Sequence, residues 1–177
     1  MSNDNGKFNR DMQQLLKEAR RLINKRLPGV IKVEGLDFIH DNFDAQGFNT
    51  GSGVTKWKAR KLPKGLWRKG AKTLKGGNSQ QLRSTKAGAK WKRDQNRAIL
   101  AKRGHLRRAW DRETKTYDSA VAFRNSLPYA EVHNEGGHSG RGSGFTMPER
   151  RMIGDSAALD NRIIRKIDDE MQRLFNP

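Results

Sequence analysis

The residues best placed for chemistry are Glu131, His133, Glu135 and His138, which fall within eight positions of one another. Histidines and carboxylates at close spacing suggest metal binding or acid–base catalysis. A metal site needs ligands that converge on one point, however, and here the glutamates alternate on a short segment while His138 falls among glycines. No HExxH or comparable framework is present. His133 has acids on either side but no nucleophile at a spacing that would let it act as a base. Glycines 136, 137, 140, 142 and 144 follow no strand and lead into no Gly-Lys-Ser/Thr, so they do not form a phosphate-binding loop. The serines lack the context of a nucleophile elbow. The pattern points to neither an enzyme nor a metal or cofactor site.

The stretch that holds these residues, Tyr129 to Ser156, reads YAEVHNEGGHSGRGSGFTMPERRMIGDS. Gly136 and Gly137 supply backbone freedom that ends a turn of helix running from Tyr129 to Glu135. A flexible glycine/serine loop follows. Pro148 then fixes φ and removes a donor as the chain re-enters ordered structure. This arrangement reads as a subunit surface.

The elements that position this stretch follow from apolar periodicity. From Phe8 to Leu27, Met12, Leu15, Leu16, Ala19, Leu22 and Ile23 recur at helical spacing, and Pro28-Gly29 is expected to stop the helix. A second helix is expected from Val33 to about Ala45, with Leu36, Ile39, His40 and Phe43 on one face and Gly47 as its cap. His40 on that apolar face reads as a half-buried, satisfied histidine. Asp94 to Arg103 is expected to form a helical turn ended by Gly104. Leu106–Tyr117 and Ser119–Leu127 are expected to form a hairpin that turns at Tyr117-Asp118, with Arg112 and Lys115 on an exposed edge. Asp155 or Ser156 caps a final helix through about Phe175, whose stripe is Leu159, Ile163, Ile167, Met171 and Leu174. Its acids Asp168, Asp169 and Glu170 oppose the helix dipole, so they either meet a basic surface, such as the central segment, or lie on a solvated face.

The 177 residues favour a single domain, 1–177, large enough for a core without staples. Hydrophobic residues make up only 33% and mean hydropathy is -0.97, so part of the chain is expected to be extended or to order only in an assembly. There is no cysteine, which removes disulfides and thiolate metal sites. No apolar run reaches membrane-spanning length and the N-terminus is too polar for a signal peptide, which predicts a soluble protein made in a cytoplasm. Charge is distributed unevenly. Thr55 to Lys115 holds 21 Lys and Arg against 3 acids, which is the whole net charge of +18, while the remaining residues hold 16 of each sign.

Within that block, residues 50–93 form a basic, glycine-rich arm that carries Trp57, Trp67 and Trp91. Two readings stay open. Lys56, Lys58, Arg60, Lys61, Lys64, Arg68, Lys69, Lys72 and Lys75 could face DNA backbone or an acidic partner, with the tryptophans as stacking anchors. Alternatively the arm is a solvated loop whose tryptophans dock on the protein's own core.

Tyr129-Ala130, His133-Asn134, Gly136-Gly137, Met147-Pro148, Arg150 and Ile153-Gly154 together resemble the C-terminal signature of the phage virion morphogenesis family. Ile99-Leu100, Gly104 and Leu106 resemble its upstream lead, and Phe43 to Phe48 followed by Trp57 its early aromatic pattern. The chain departs at Arg151-Met152, where the family leads one to expect a small residue and then an apolar one such as phenylalanine. The resemblance implies an α+β fold with N-terminal amphipathic helices, a small antiparallel β-sheet with a hairpin, a long basic loop and a C-terminal helix. It implies a non-enzymatic tail completion or head-to-tail joining protein, assembled in the bacterial cytoplasm into the neck of the virion. Its partners would be copies of itself in a ring, other connector and tail proteins, and packaged double-stranded DNA, with no membrane and no cofactor. Tyr129, His133, Asn134, Gly136, Gly137, Pro148 and Arg150 are then the expected subunit or partner interface. The other class of function is a basic, non-enzymatic nucleic-acid-binding protein whose arm tracks phosphates.

Overall fold

A computed structural model describes residues 3–59, 93, 97–101, 103–140 and 144–176. The architecture is α+β: helix α1 (Asn3–Arg21), a π-helical turn (Leu22–Arg26), α2 (Leu27–Ala45), α3 (His105–Glu113), α4 (Ala130–Glu135) and α5 (Ala157–Phe175) accompany three small antiparallel hairpins. These pair β1 (Gly47–Asn49) with β2 (Val54–Lys56), β3 (Lys115–Tyr117) with β4 (Ala120–Ala122), and β5 (Gly137–Ser139) with β6 (Phe145–Met147). No helix among the described residues is long and apolar enough to cross a membrane.

Most of the core is built on α2. Its Ile39 and Phe43 join Trp57, Leu106, Trp110, Ala130 and Met152 in the larger core, and its Phe38 joins Phe48 and Leu159 in the smaller one. Edge-to-face pairs, Phe43 with Trp57 at 5.6 Å and Phe38 with Phe48 at 5.7 Å, set the angles at which the first hairpin meets the helix. Trp57 is therefore an anchor on the chain's own core. Trp67 and Trp91 lie outside the described residues, as do Arg60, Lys61, Lys64, Arg68, Lys69, Lys72 and Lys75.

Pro28 does not stop the first helix. It sits at the start of α2, where its missing N–H is tolerated, and the helical path continues through the π turn. Asn24 O of the π turn accepts from Ser119 N at 3.4 Å, in the turn between β3 and β4. Lys25 pairs with Asp118 in the same turn. The π turn is thus a docking point for the second hairpin. At the other end of α2 the cap is Gln46, at φ 52°, and not Gly47. Gly47 opens β1, where an added Cβ would lie 2.6 Å from Val54.

The segment expected to be the first strand of a long hairpin, Leu106–Tyr117, is mostly helix. Leu106, Ala109 and Trp110 recur at three and four residues and all are buried, which is the period of a helix face. Strand pairing begins only at Lys115, and the turn is Asp118-Ser119, one residue later than expected. After β4 the chain runs extended, held by Asn125 Nδ2 to Leu106 O at 2.9 Å and by Ser126 N to the Glu113 carboxylate at 2.5 Å. Hydrogen bonding from Ser126 holds the Glu113 carboxyl below the usual carboxylate range.

The final helix matches expectation. Ser156 caps it, accepting from Ala158 N and Leu159 N and donating to Asn49 O at 2.6 Å. Of its acids, Asp168 and Asp169 are exposed, while Glu170 is buried and pairs with Arg26 of the π turn at 2.6 Å. His40, half-buried, lies 2.8 Å from Asp111 of α3, close in distance but without hydrogen-bond alignment.

The middle of α2 also carries Gly35, against which the Phe123 ring packs so closely that an added Cβ would sit 2.1 Å from Cζ. Glycine-to-alanine in a helix interior normally stabilises by about 1 kcal/mol. Here the overlap dominates, and Gly35→Ala is expected to destabilise by about 1–3 kcal/mol in urea titration. A variant more stable than the parent would show that Phe123 does not rest on α2.

Candidate functional site

The stretch from Tyr129 to Ser156 folds as α4, the β5–β6 hairpin, and a loop that returns to α5. The flanks of the expected flexible loop are thus paired strands, with Gly137 opposite Met147 and Ser139 opposite Phe145. Gly136 ends α4 at φ 76°, and an added Cβ would lie 2.9 Å from Glu149 N. Conformation and close approach together require glycine there.

The loop 150–153 is held by main-chain capture. His133 O accepts from Arg150 N at 2.8 Å, and Arg151 O accepts from Trp57 Nε1 at 2.9 Å. Asn134 Oδ1 accepts from Met152 N at 2.8 Å and Ile153 N at 3.2 Å, and its Nδ2 donates to Ile153 O. Fully buried Asn42 donates from Nδ2 to Met152 O at 3.0 Å. So tied, the loop delivers the Met152 side chain into the core with no residual exposure. Met152 thereby fills an apolar place in the larger core.

Arg150 is only 5% exposed. Its Nε and Nη2 donate to Lys58 O at 3.3 and 3.2 Å, a two-donor grip on the carbonyl where the described part of the basic arm ends. Of the expected DNA contacts, Lys56 and Lys58 are exposed, and Lys56 Nζ donates to Ala45 O at the C-terminal end of α2, 2.6 Å away.

The expected interface residues therefore divide. Asn134, Gly136 and Arg150 turn inward and hold the loop. Tyr129, His133 and Pro148 line a cleft of about 670 Å³, and Arg150 closes one wall of it. Gly137 lies exposed at the start of β5. Ile99, Leu100, Leu106, Phe145 and Met147 complete the apolar lining, with Arg103 and His105 at the rim. Phe145, Arg103 and His105 are lining residues that sequence reasoning did not single out. Ile99 is positioned by its N–H, which donates to Gln46 Oε1. Tyr129 and His133 meet edge to face at 6.0 Å. Such a surface offers apolar area, one aromatic pair and a cationic rim, which suits binding more than bond making. Among the described residues no three His, Asp or Glu side chains come together in a way that could hold a metal ion.

His133 Nδ1 is buried without a hydrogen-bond partner. Burial, reinforced by the Arg150 charge, holds the His133 pKa below its ordinary 6.5. The fold thus favours the neutral ring. Below pH 6.5 the unfolded chain takes up a proton that the folded one refuses, so stability falls as pH drops toward the folded value. His133→Gln is expected to reduce the loss of urea midpoint between pH 7.5 and 5.5. Equal losses in both proteins would mean that His133 is not held neutral.

No curated protein and no solved structure matches the chain. The phage virion morphogenesis family matches residues 12–172, nearly its whole length. The aromatic pair of Phe43 with Trp57, the helix start at Gly104, and the tied loop at Arg150 to Ile153 all fall within that span. By this match the chain belongs to the phage virion morphogenesis family, whose members are structural proteins of virion assembly.

Proposed function

We propose that the protein is a tail completion or head-to-tail joining component that closes into a ring around the DNA channel, between the portal-proximal connector and the tail. The observation that carries this reading is the contrast within one stretch of chain. Asn134, Gly136 and Arg150 make a rigid support, and beside it Tyr129, Phe145 and Pro148 present an open apolar cleft. Apolar surface placed on a well-tied scaffold is what a subunit contact requires. A ring needs a heterologous contact, in which one patch meets a different patch on the next copy. The basic block from Thr55 to Lys115 would then face the channel or an acidic neighbour in the neck.

A second reading rests on that same block. Concentration of the entire net charge of +18 in one segment also suits a small protein that binds nucleic acid through phosphate contacts.

The mass of the purified protein at low and high salt, alone and with short duplex DNA, separates the two. The ring reading predicts a discrete multi-subunit species that survives high salt. A species that stays monomeric and binds DNA with affinity falling steeply as salt rises would replace it with the second reading. Tyr129→Ala is expected to reduce that assembly while leaving the unfolding free energy from urea titration within about 0.5 kcal/mol of the parent, because Tyr129 is exposed. Full assembly by that variant would remove the cleft from the contact.

A further inference from the structure

Among the described residues, one side of α1 carries an apolar stripe that stays largely exposed. Phe8, Met12, Leu15 and Ala19 follow one another at steps of four, three and four, and Leu16 and Ile23 widen the stripe, so one apolar face runs the length of the helix. Phe8 is 62% exposed, Met12 41%, Leu16 51% and Ile23 49%. The main packing of α1 is against the π turn that it runs into. A free-standing helix with an uncovered apolar face is marginal in water, which makes a covering partner the natural completion.

The open cleft is the complementary feature. Its lining of Ile99, Leu100, Tyr129, Phe145 and Met147 is apolar, and its volume of about 670 Å³ is large enough to take side chains from one helix face. Charge fits as well. Asp11 and Glu18, seven residues apart, flank one edge of the α1 stripe, and Arg103 and His105 stand at the cleft rim. The chain's own α1 is carried away from this cleft. Helical backbone continues from α1 through the π turn into Leu27, whereas Leu106 of the cleft packs with Ile39 and Phe43, near the other end of α2. A helix of 19 residues spans about 28 Å, so the two features lie at opposite ends of the subunit.

We infer that α1 of one copy lies in the cleft of the next, with Phe8, Met12 and Leu16 on the apolar floor and Asp11 toward Arg103. The inference rests on the ring reading and names the contact that would close it. The contact is heterologous, since helix meets cleft, and it therefore propagates around a ring. Pairing of α1 with α1 would be isologous and would stop at two copies.

The chain has no cysteine, so a designed pair reports the contact cleanly. In full-length protein carrying Met12→Cys and Phe145→Cys, mild oxidation is expected to give a ladder of covalent multimers on a denaturing gel, and either substitution alone is not. A disulfide within one chain would overturn the inference, because it would place α1 on its own cleft. Strong cross-linking by Met12→Cys alone would overturn it in favour of a symmetric helix pair. Absence of cross-links while the parent remains multi-subunit would sink the helix-in-cleft contact and leave the ring standing. Absence of both would contradict the ring as well. A charge exchange gives a second readout: Asp11→Arg and Arg103→Asp should each lower the multimer fraction several-fold, and the two together should restore it. Failure of the double variant to recover, with helix content intact, would count against the contact.

Discussion

The structure depends on one buried amide. Asn42, on the inner face of α2, donates to Met152 O at 3.0 Å and accepts from Asn49 N at 3.0 Å, so one side chain joins the helix, the first hairpin and the loop before α5. Both halves of the amide are used, which is the condition under which a polar group is tolerated in a core. Loss of either bond would leave a buried backbone group unpaired, at about 1–3 kcal/mol each. The bonds also fix register. With Met152 placed, Arg151 O meets Trp57 and Ile153 meets Asn134, and the cleft wall formed by Met147, Pro148 and Arg150 follows from that position.

The family signature in this chain combines two kinds of residue that a linear pattern does not separate. Asn134, Gly136 and Arg150 are explained by internal bonds and close approach, and Met152, at the position where the chain departs from the pattern, still fills the core. Tyr129 and Pro148 are explained by the cleft that they line. The loop before α5 is tied into the interior by Asn42 and Asn134, while apolar side chains such as Phe8, Phe145 and Ile164 stay exposed. Under the proposed ring, those exposed groups belong to contacts between subunits.

Much of this was legible in the sequence, and the reasons for the remainder are physical. The α5 stripe and its Ser156 cap, the helical turn ended by Gly136, and the inward face of α2 follow from local periodicity and cap chemistry. Pro28 does not end the helix because it falls in the first turn of α2, where its missing N–H is tolerated, and the π turn before it carries the helical path on. The α3 helix was hidden by its many charged residues, although Leu106, Ala109 and Trp110 already carried the helical period. The cleft was visible only in part, because Ile99 and Arg103 reach it from a segment far from Phe145 in sequence. Of the two readings open for the acids of α5, Glu170 takes the basic partner, which is Arg26 of the π turn and not the central segment.

The position of the protein in the particle can be read by electron microscopy of virions whose copies of this chain carry a small surface label at the N-terminus. A ring in the neck gives label confined to the head–tail junction, with rotational symmetry about the tail axis. Label distributed along the tail tube, or absent from purified particles, would contradict it.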